Sequence, residues 1–423
     1  MNILLINQHY HPDISATAQL CSDYAEGLVL LGHRVTVLCG NSPYRAPHRG
    51  RSPVPPQVFP PKQHHNGVDI VRVAVPEALP PTEPEVLRLG HRAWQYGVFL
   101  ARAAKQLTEL QRPQVIVVLT SPPFLFALGL WAKHKLGAKL VLWVQDLYPD
   151  LLFAMKVLPG QTLLGPPLAR LTAPIYQQAD AVIALDQAMA ERLVLAGAKP
   201  STLTVIDHCA DVQNLVPGPR GNHRLRQDLN LPDGFLVCYA GNHGRGHDFD
   251  TLLGAICAQL ESPGGPPIHW LFVGEGDEKA RFWQRLPPAA RAFVFSLPPQ
   301  ARGELSGLFA AADVGLISVR AQMEGLLCPS KLYGWLAAGR PIAYIGPARG
   351  RIAGLFDEMD LGVSVRNGDG AGLLSGLRSL AQDPARWTTL SATCRTLALT
   401  RFSPKVLLSK HEQLLTRVCR KTG

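Results

Sequence analysis

A carboxylate, a serine-lysine pair and a run of small residues follow one another in Glu324-Gly325-Leu326-Leu327-Cys328-Pro329-Ser330-Lys331-Leu332-Tyr333-Gly334-Trp335-Leu336-Ala337-Ala338-Gly339-Arg340-Pro341. Pro329 breaks any preceding helix and Ser330 is a good N-cap residue. The spacing therefore predicts a short helix over 331–338, closed by Gly339 and Pro341. An anion at that helix start would meet free backbone N–H groups, the positive end of the dipole and the Lys331 ammonium. That combination suits a phosphate or diphosphate, with Glu324 available to orient hydroxyls on the group it carries. The same residues also fit an ordinary capped core helix with Lys331 in solvent and Glu324 paired with a surface arginine.

A second phosphate-type loop is Tyr239-Ala240-Gly241-Asn242-His243-Gly244-Arg245-Gly246-His247-Asp248, which follows a predicted strand and precedes a predicted helix. Arg245 supplies a cation there, while Gly241 and Asn242 would bring backbone close to a ligand. These glycines do not spell Gly-x-Gly-x-x-Gly, nor does any string after the first strand, which weighs against a nicotinamide or flavin enzyme. His9 and His11 follow the first strand, and either would serve as a base toward a hydroxyl. Asp146, in Trp143-Val144-Gln145-Asp146-Leu147-Tyr148-Pro149-Asp150, is a further polar candidate and is equally suited to N-cap a following helix. No metal site and no cofactor are expected.

Alternating strands and helices surround these residues, which implies parallel sheets covered on both faces. Strands are expected at 3–7, 35–39, 68–73, 115–119, 140–144 and 181–184, with helices over 16–31 and from Glu85 to about 110. A second series starts at 203–206 and continues at 236–239, 269–273, 292–295, 314–318, 342–344 and 362–365. The fold class is thus α/β, with two Rossmann-like, doubly wound domains, 1–199 and 200–403, facing across a cleft. Ligands of open parallel sheets lie beyond the carboxyl ends of the strands, so the site belongs in that cleft.

The order of Glu324, Pro329-Ser330-Lys331 and Ala337-Ala338-Gly339-Arg340-Pro341 resembles the donor-site segment of glycosyltransferase family 4, a GT-B family. It is closest to the branch acting in bacterial capsule, O-antigen and colanic-acid-type polysaccharide assembly. The resemblance extends to Gln8-His9-Tyr10-His11-Pro12-Asp13, to Thr120-Ser121-Pro122-Pro123, to the segment around Asp146 and to Phe272-Val273-Gly274-Glu275-Gly276-Asp277. It implies that Glu324 and Lys331 hold the sugar and diphosphate of a nucleotide-sugar donor. Arg245 would hold the phosphates, with Ser330, Gly241, Asn242 and Thr17 around them. It further implies metal-independent transfer with retention, and a last helix, 404–420, that folds back onto the first domain. The chain departs from the family where a glycine pair is replaced by small residues near Thr17. Gln145 stands where relatives place a histidine, and Gly334 where many carry a second glutamate that holds the ribose.

Composition sets the frame: 423 residues, 47% of them hydrophobic and 17% charged, describe a globular chain long enough for two full cores. The formal net charge of +10 favours polyanions. Arg45, Arg49, Arg51 and Lys62, set among prolines without a single acid between 41 and 62, read as an exposed, stiff loop. Such a loop would hold the protein against an anionic membrane surface, at about 1 kcal/mol per basic residue; the plainer alternative is a solvated connection. The helix carrying Arg88, Arg92, Trp94, Tyr96 and Phe99 would extend that surface, or its apolar residues are core. A nucleic-acid partner is not expected, since no recognised module occurs.

Eight scattered cysteines suggest reduced thiols, and the absence of a cationic lead before the first strand suggests the cytoplasmic side. The functional expectation is a cytoplasmic enzyme, peripheral on the inner face of the plasma membrane, moving a hexose-type sugar to a lipid-linked oligosaccharide acceptor. The alternatives are a nucleotide-sugar epimerase or hydrolase, and a non-catalytic protein that binds polyanions or membrane surfaces.

Overall fold

The computed structural model describes residues 1–13, 15–42, 59–79, 83–218, 226–227 and 233–420. Arg45, Arg49 and Arg51 of the expected basic loop lie outside the described residues, while Lys62 opens a strand. The amino-terminal strands are β1 (Asn2–Ile6), β2 (Arg34–Gly40), β3 (Lys62–His65), β4 (Val68–Val73), β5 (Val115–Val118), β6 (Lys139–Trp143), β7 (Ala181–Ala184) and β8 (Leu203–Val205). They form one sheet in the order β3-β4-β2-β1-β5-β6-β7-β8, parallel except for the β3-β4 pair. β5 and β7 are four-residue apolar runs buried throughout, as strands covered on both faces must be.

The helices of this half are α1 (Ala16–Leu30), α2 (Glu85–Leu107), α3 (Leu125–Leu136), α4 (Asp150–Ala154), α5 (Gln161–Gln178) and α6 (Gln187–Leu195). Phe99 of α2, Leu125 and Ala132 of α3 and Tyr176 of α5 pack into the core on one face of the sheet. Tyr24 and Leu28 of α1 pack into the core on the other.

The second half carries β9 (Phe235–Ala240), β10 (Ile268–Val273), β11 (Val294–Leu297), β12 (Val314–Ser318), β13 (Ile342–Ile345) and β14 (Gly362–Val365), in the order β11-β10-β9-β12-β13-β14, all parallel. Its helices are α7 (Phe249–Glu261), α8 (Asp277–Arg285), α9 (Leu305–Ala311), α10 (Lys331–Ala337), α11 (Arg351–Glu358), α12 (Gly370–Gln382), α13 (Pro384–Arg401) and α14 (Pro404–Arg420). A β-carbon at Gly315 of β12 would stand 2.2 Å from the Trp335 indole. Glycine at that position lets α10 lie flat on the strand and fixes where Lys331, at the head of α10, emerges.

The two doubly wound sheets expected from the sequence are present, with one reassignment between them. The strand at 203–205, expected to open the second series, pairs in parallel with β7 and closes the first sheet. A short apolar strand carries no mark of the sheet it joins; the α6 crossover returns the chain beside β7. β3 was not foreseen, because Lys-Gln-His-His lacks the apolar alternation of a covered strand and sits at an edge.

The chain crosses between the halves twice, and the crossings touch where the Ala210 amide donates to the Phe402 carbonyl at 2.8 Å. Beyond the second crossing, Leu407, Leu414 and Leu415 of α14 join the core around Ile3 and Tyr24. His411 of α14 wedges between Tyr24 and Trp143, with ring centroids 4.8 and 4.7 Å away. Burial pushes the His411 imidazole down to about 3 and that of nearby His208 down to about 4, so both are neutral when folded.

An unfolded histidine titrates near 6.5, so the folded state binds fewer protons than the unfolded one below that pH, and stability is lost as pH falls through 6.5. At pH 5 each group costs about 2 kcal/mol. The melting temperature should fall between pH 7 and pH 5, and His411→Phe, which keeps an aromatic ring against Tyr24 and Trp143, should fall by several degrees less. An identical fall in both proteins would refute this account of the α14 contact.

Candidate functional site

Both sheets reverse their strand order once, and the loops that matter leave those points. In the first sheet the reversal lies between β1 and β5, where the Gln8 amide donates to the Ser121 carbonyl at 2.9 Å. In the second it lies between β9 and β12, where the Arg320 amide donates to the Gly246 carbonyl at 2.9 Å. Chains diverging from such a point leave a crevice beyond the strand ends that no helix covers.

Lys331 rises into the second crevice and is held on three sides. Its ammonium donates to Nε2 of His247 at 3.2 Å and stands 4.9 Å from the centre of the Tyr239 ring. Its stem lies along Gly241, where a β-carbon would meet Lys331 Cε at 2.7 Å; the φ of +131° at Gly241 also suits glycine. Nδ1 of His247 donates to the Ser318 carbonyl at 2.6 Å, which leaves Nε2 as an acceptor. Burial and the neighbouring ammonium keep the His247 imidazole far below the ordinary histidine range, so it is neutral.

The contacts of the Lys331 ammonium among the described residues are with an imidazole and an aromatic ring, and burial lowers it to about 8. The cation is therefore poised beside neutral groups with hydrogen-bonding capacity unspent. Sequence reasoning had quoted His247 without giving it a role; a histidine in a glycine-rich loop carries no mark of a lysine 84 positions away.

Arg245 and Asn242 belong to the same β9-α7 loop as Gly241 and are half-buried and exposed respectively. Tyr239 Oη donates to the Asn242 carbonyl at 2.6 Å and pins the loop's first bend. The Asp248-Phe249-Asp250 carboxylates, beside this loop, are engaged locally. Asp248 accepts from the Asp250 and Thr251 amides at the start of α7, and Asp250 pairs with Arg285 and Arg320.

Ser330 precedes α10 but its hydroxyl makes no cap hydrogen bond, contrary to expectation. Its φ of −64° and ψ of −19° are already helical, whereas a capping side chain needs extended backbone to reach the following amides. α10 spans seven residues, so the lysine, rather than the helix dipole, is the main positive feature here.

The segment of Asp146 and the loop that carries Glu324 meet at a seam between the halves. Asp146 forms an isolated antiparallel bridge with Leu327, and the Leu147 amide donates to the Leu326 carbonyl at 2.9 Å. The amides of Gln145 and Asp146 both donate to the Thr120 hydroxyl at 3.2 Å. α4 begins at Asp150 after Pro149, so Asp146 does not cap it. Desolvation instead pushes the Asp146 carboxyl up to about 6.

Glu324 lies 4.0 Å from Arg349, whose guanidinium also contacts Glu191 of α6 at 2.5 Å. Arg351, at the start of α11, pairs with Asp207 and donates its amide to Asp186 at 3.0 Å, while Tyr333 donates to Asp207 at 3.2 Å. The loop carrying Glu324 is thus docked on the first domain.

His11 is placed elsewhere. Its ring stacks on His65 of the β3 edge strand, with centroids 4.0 Å apart, and its carbonyl accepts from Arg72 at 2.8 Å. Burial, the second imidazole and Arg72 lower its pKa. These contacts tie it to the edge of the first sheet and not to the seam. Thr17 sits half-buried in the first turn of α1. A β-carbon at Gly334 would lie 2.9 Å from the Phe309 ring of α9. The missing glutamate leaves no gap, because the position is packed.

Residues 16–207 match the profile of the Glycosyl transferase 4-like domain. A probable glycosyltransferase of Pseudomonas aeruginosa, WbjE, is 28% identical over 277 residues, covering 62% of this chain and 64% of that protein, so less than two thirds of its length is matched. Among solved structures, sucrose-phosphate synthase from Thermosynechococcus elongatus superposes with a TM-score of 0.74 at 18% identity over 99% of both chains. Anabaena HepE in complex with UDP-glucose gives 0.69 at 16% identity over 98% of this chain and 99% of that one. The fold is GT-B.

Gly334→Glu should destabilise the protein by about 1–3 kcal/mol through overpacking against Phe309, seen as a lower melting temperature. A variant melting with the parent would show that this position opens on the crevice.

Proposed function

We propose that the protein is a glycosyltransferase that moves a hexose-type sugar from a nucleotide-diphosphate donor to a lipid-linked oligosaccharide, on the inner face of the plasma membrane, in cell-surface polysaccharide biosynthesis. The observation that carries this reading is the unpaired Lys331 ammonium, cradled by His247, Tyr239 and Gly241 in the crevice of the second sheet. A buried cation without a counter-charge is costly alone and favourable once an anion arrives. A diphosphate supplies that anion, and its charge grows as the bond to the sugar breaks. Lys331 and Arg245 meet the growing charge from fixed positions, the form of electrostatic catalysis that needs least reorganisation.

Glu324, held at the seam, orients the sugar hydroxyls or answers positive character at the anomeric carbon. Asp146 stands on the acceptor side, and its raised pKa suits a group that handles an acceptor hydroxyl proton near neutrality. That role fits Asp146 better than His11, which is engaged at the sheet edge. The phosphate charge is met by protein groups, with retention of configuration. HepE, which superposes over nearly the whole chain, was solved with UDP-glucose, and this supports a uridine-linked hexose as the first donor to try. The relative's description as a glycosyltransferase favours transfer over epimerisation or hydrolysis.

Thermal melting with UDP, UDP-glucose and other nucleotide sugars tests the donor assignment. A ligand should raise the parent's melting temperature, and Lys331→Ala and Arg245→Ala should each bind it at least tenfold more weakly. Equal shifts in all three proteins would remove both residues from the site. Because Lys331 is lowered to about 8 and only its protonated form attracts the diphosphate, affinity should hold below pH 8 and weaken above it.

A further inference from the structure

The hydrogen bonds around Lys331 run in one direction only. The Ser318 backbone carbonyl can only accept, so its 2.6 Å contact with His247 fixes the ring hydrogen on Nδ1. Nε2 of the neutral ring then carries a lone pair, and in the 3.2 Å contact with Lys331 the ammonium is the donor. Carbonyl, imidazole and ammonium therefore form a chain that ends in the remaining N–H groups of the lysine. Both side chains are half-buried, so the pair is not sealed in the core.

That chain starts on a rigid support. Ser318 ends β12 and is fully buried; its hydroxyl accepts from the Asp248 amide at 2.8 Å and donates to the Asp248 carbonyl at 3.1 Å. The Asp248 carboxylate accepts in turn from the Thr251 hydroxyl at 2.5 Å and the Asn367 amide group at 2.7 Å. The residue after His247 is thus fastened to a strand end, to the start of α7 and to the loop after β14, and the imidazole inherits that position. A free lysine side chain spreads over many rotamers. A lone pair at a fixed point removes much of that freedom before any ligand arrives.

The groups around the pair leave the imidazole uncharged. The Tyr239 ring centre lies 5.6 Å from that of His247, burial pushes His243 down to about 4, and the Arg320 guanidinium is occupied by Asp250 at 3.1 Å and Glu278 at 3.9 Å. Burial first, and Lys331 after it, hold His247 itself well below the ordinary histidine range. A protonated ring would turn an N–H toward the ammonium and repel it.

We propose that His247 is a positioning residue of the diphosphate site: anchored by the Ser318 carbonyl, it offers one lone pair that fixes the Lys331 ammonium where the anion will meet it and keeps that ammonium charged. This rests on the preceding reading of Lys331 and deepens it.

Calorimetric titration of the full chain with UDP, GDP and ADP, from about pH 6 to about pH 9.5, tests the proposal with three substitutions. His247→Phe keeps a ring beside Tyr239 but has no lone pair. It should bind the parent's nucleotide at least tenfold more weakly near pH 7, and its affinity should begin to fall at a lower pH, because the lysine has lost the acceptor that favours its proton. His247→Gln, whose amide can donate to Ser318 and accept from Lys331, should recover affinity to within about threefold of the parent. His247→Glu should also lose at least tenfold, by cancelling the charge, yet its fall should move to a higher pH. A packing role alone would not shift the Phe and Glu variants in opposite directions. Shifts of the same sign in those two, or a Gln variant as weak as the Phe variant, would overturn the proposal. Variants that all bind as the parent does would overturn it too and leave the donor assignment standing, whereas a parent that binds none of the three nucleotides would sink both.

Discussion

One uncompensated positive charge organises the second domain. Lys331 stands among groups that accept its proton contacts without cancelling its charge: a neutral imidazole, an aromatic face and a glycine that makes room for the stem. A carboxylate in that position would satisfy the lysine and leave nothing for a ligand. The tautomer of His247 matters for the same reason, since the Ser318 carbonyl holds a proton on Nδ1 and so keeps Nε2 free to receive the ammonium. Strand ends, the β9-α7 loop and the seating of α10 on Gly315 all serve to place this one cation at the reversal of strand order.

The seam between the halves does the complementary task. Backbone pairing of 146–147 with 326–327, the Arg351 contacts with Asp207 and Asp186, and the Ala210-Phe402 crossing fasten the Glu324 loop to the first domain. Asp146 and the loop that carries Glu324 therefore come from opposite halves and yet are joined by backbone hydrogen bonds. α14 strengthens the arrangement by returning 404–420 to the first core, so that the two crossings brace one another.

Individual residues show where sequence reasoning reached and where it stopped. Strands 181–184 and 314–318 were read with their boundaries intact, because burial on both faces leaves no choice of composition, and 68–73 and 362–365 were read as accurately from their valines. The β9-α7 loop and the 324–341 segment were found from local chemistry. Missed or misplaced were β3, the sheet to which β8 belongs and the empty cap at Ser330. Each of these depends on a partner distant in the chain, and local composition carries no record of such a partner.

From the sequence alone came the α/β class, the two doubly wound series and the residue types able to hold a diphosphate. Those follow from the period of apolar residues and from glycine, proline and charge at short range, which are local properties. Tertiary structure decided that His247 meets Lys331, that Asp146 is desolvated where its backbone bridges to Leu327, and that Gly334 lies against Phe309. Those depend on which surfaces the folded chain brings within a few ångströms, and distance in space is fixed only when the whole core packs.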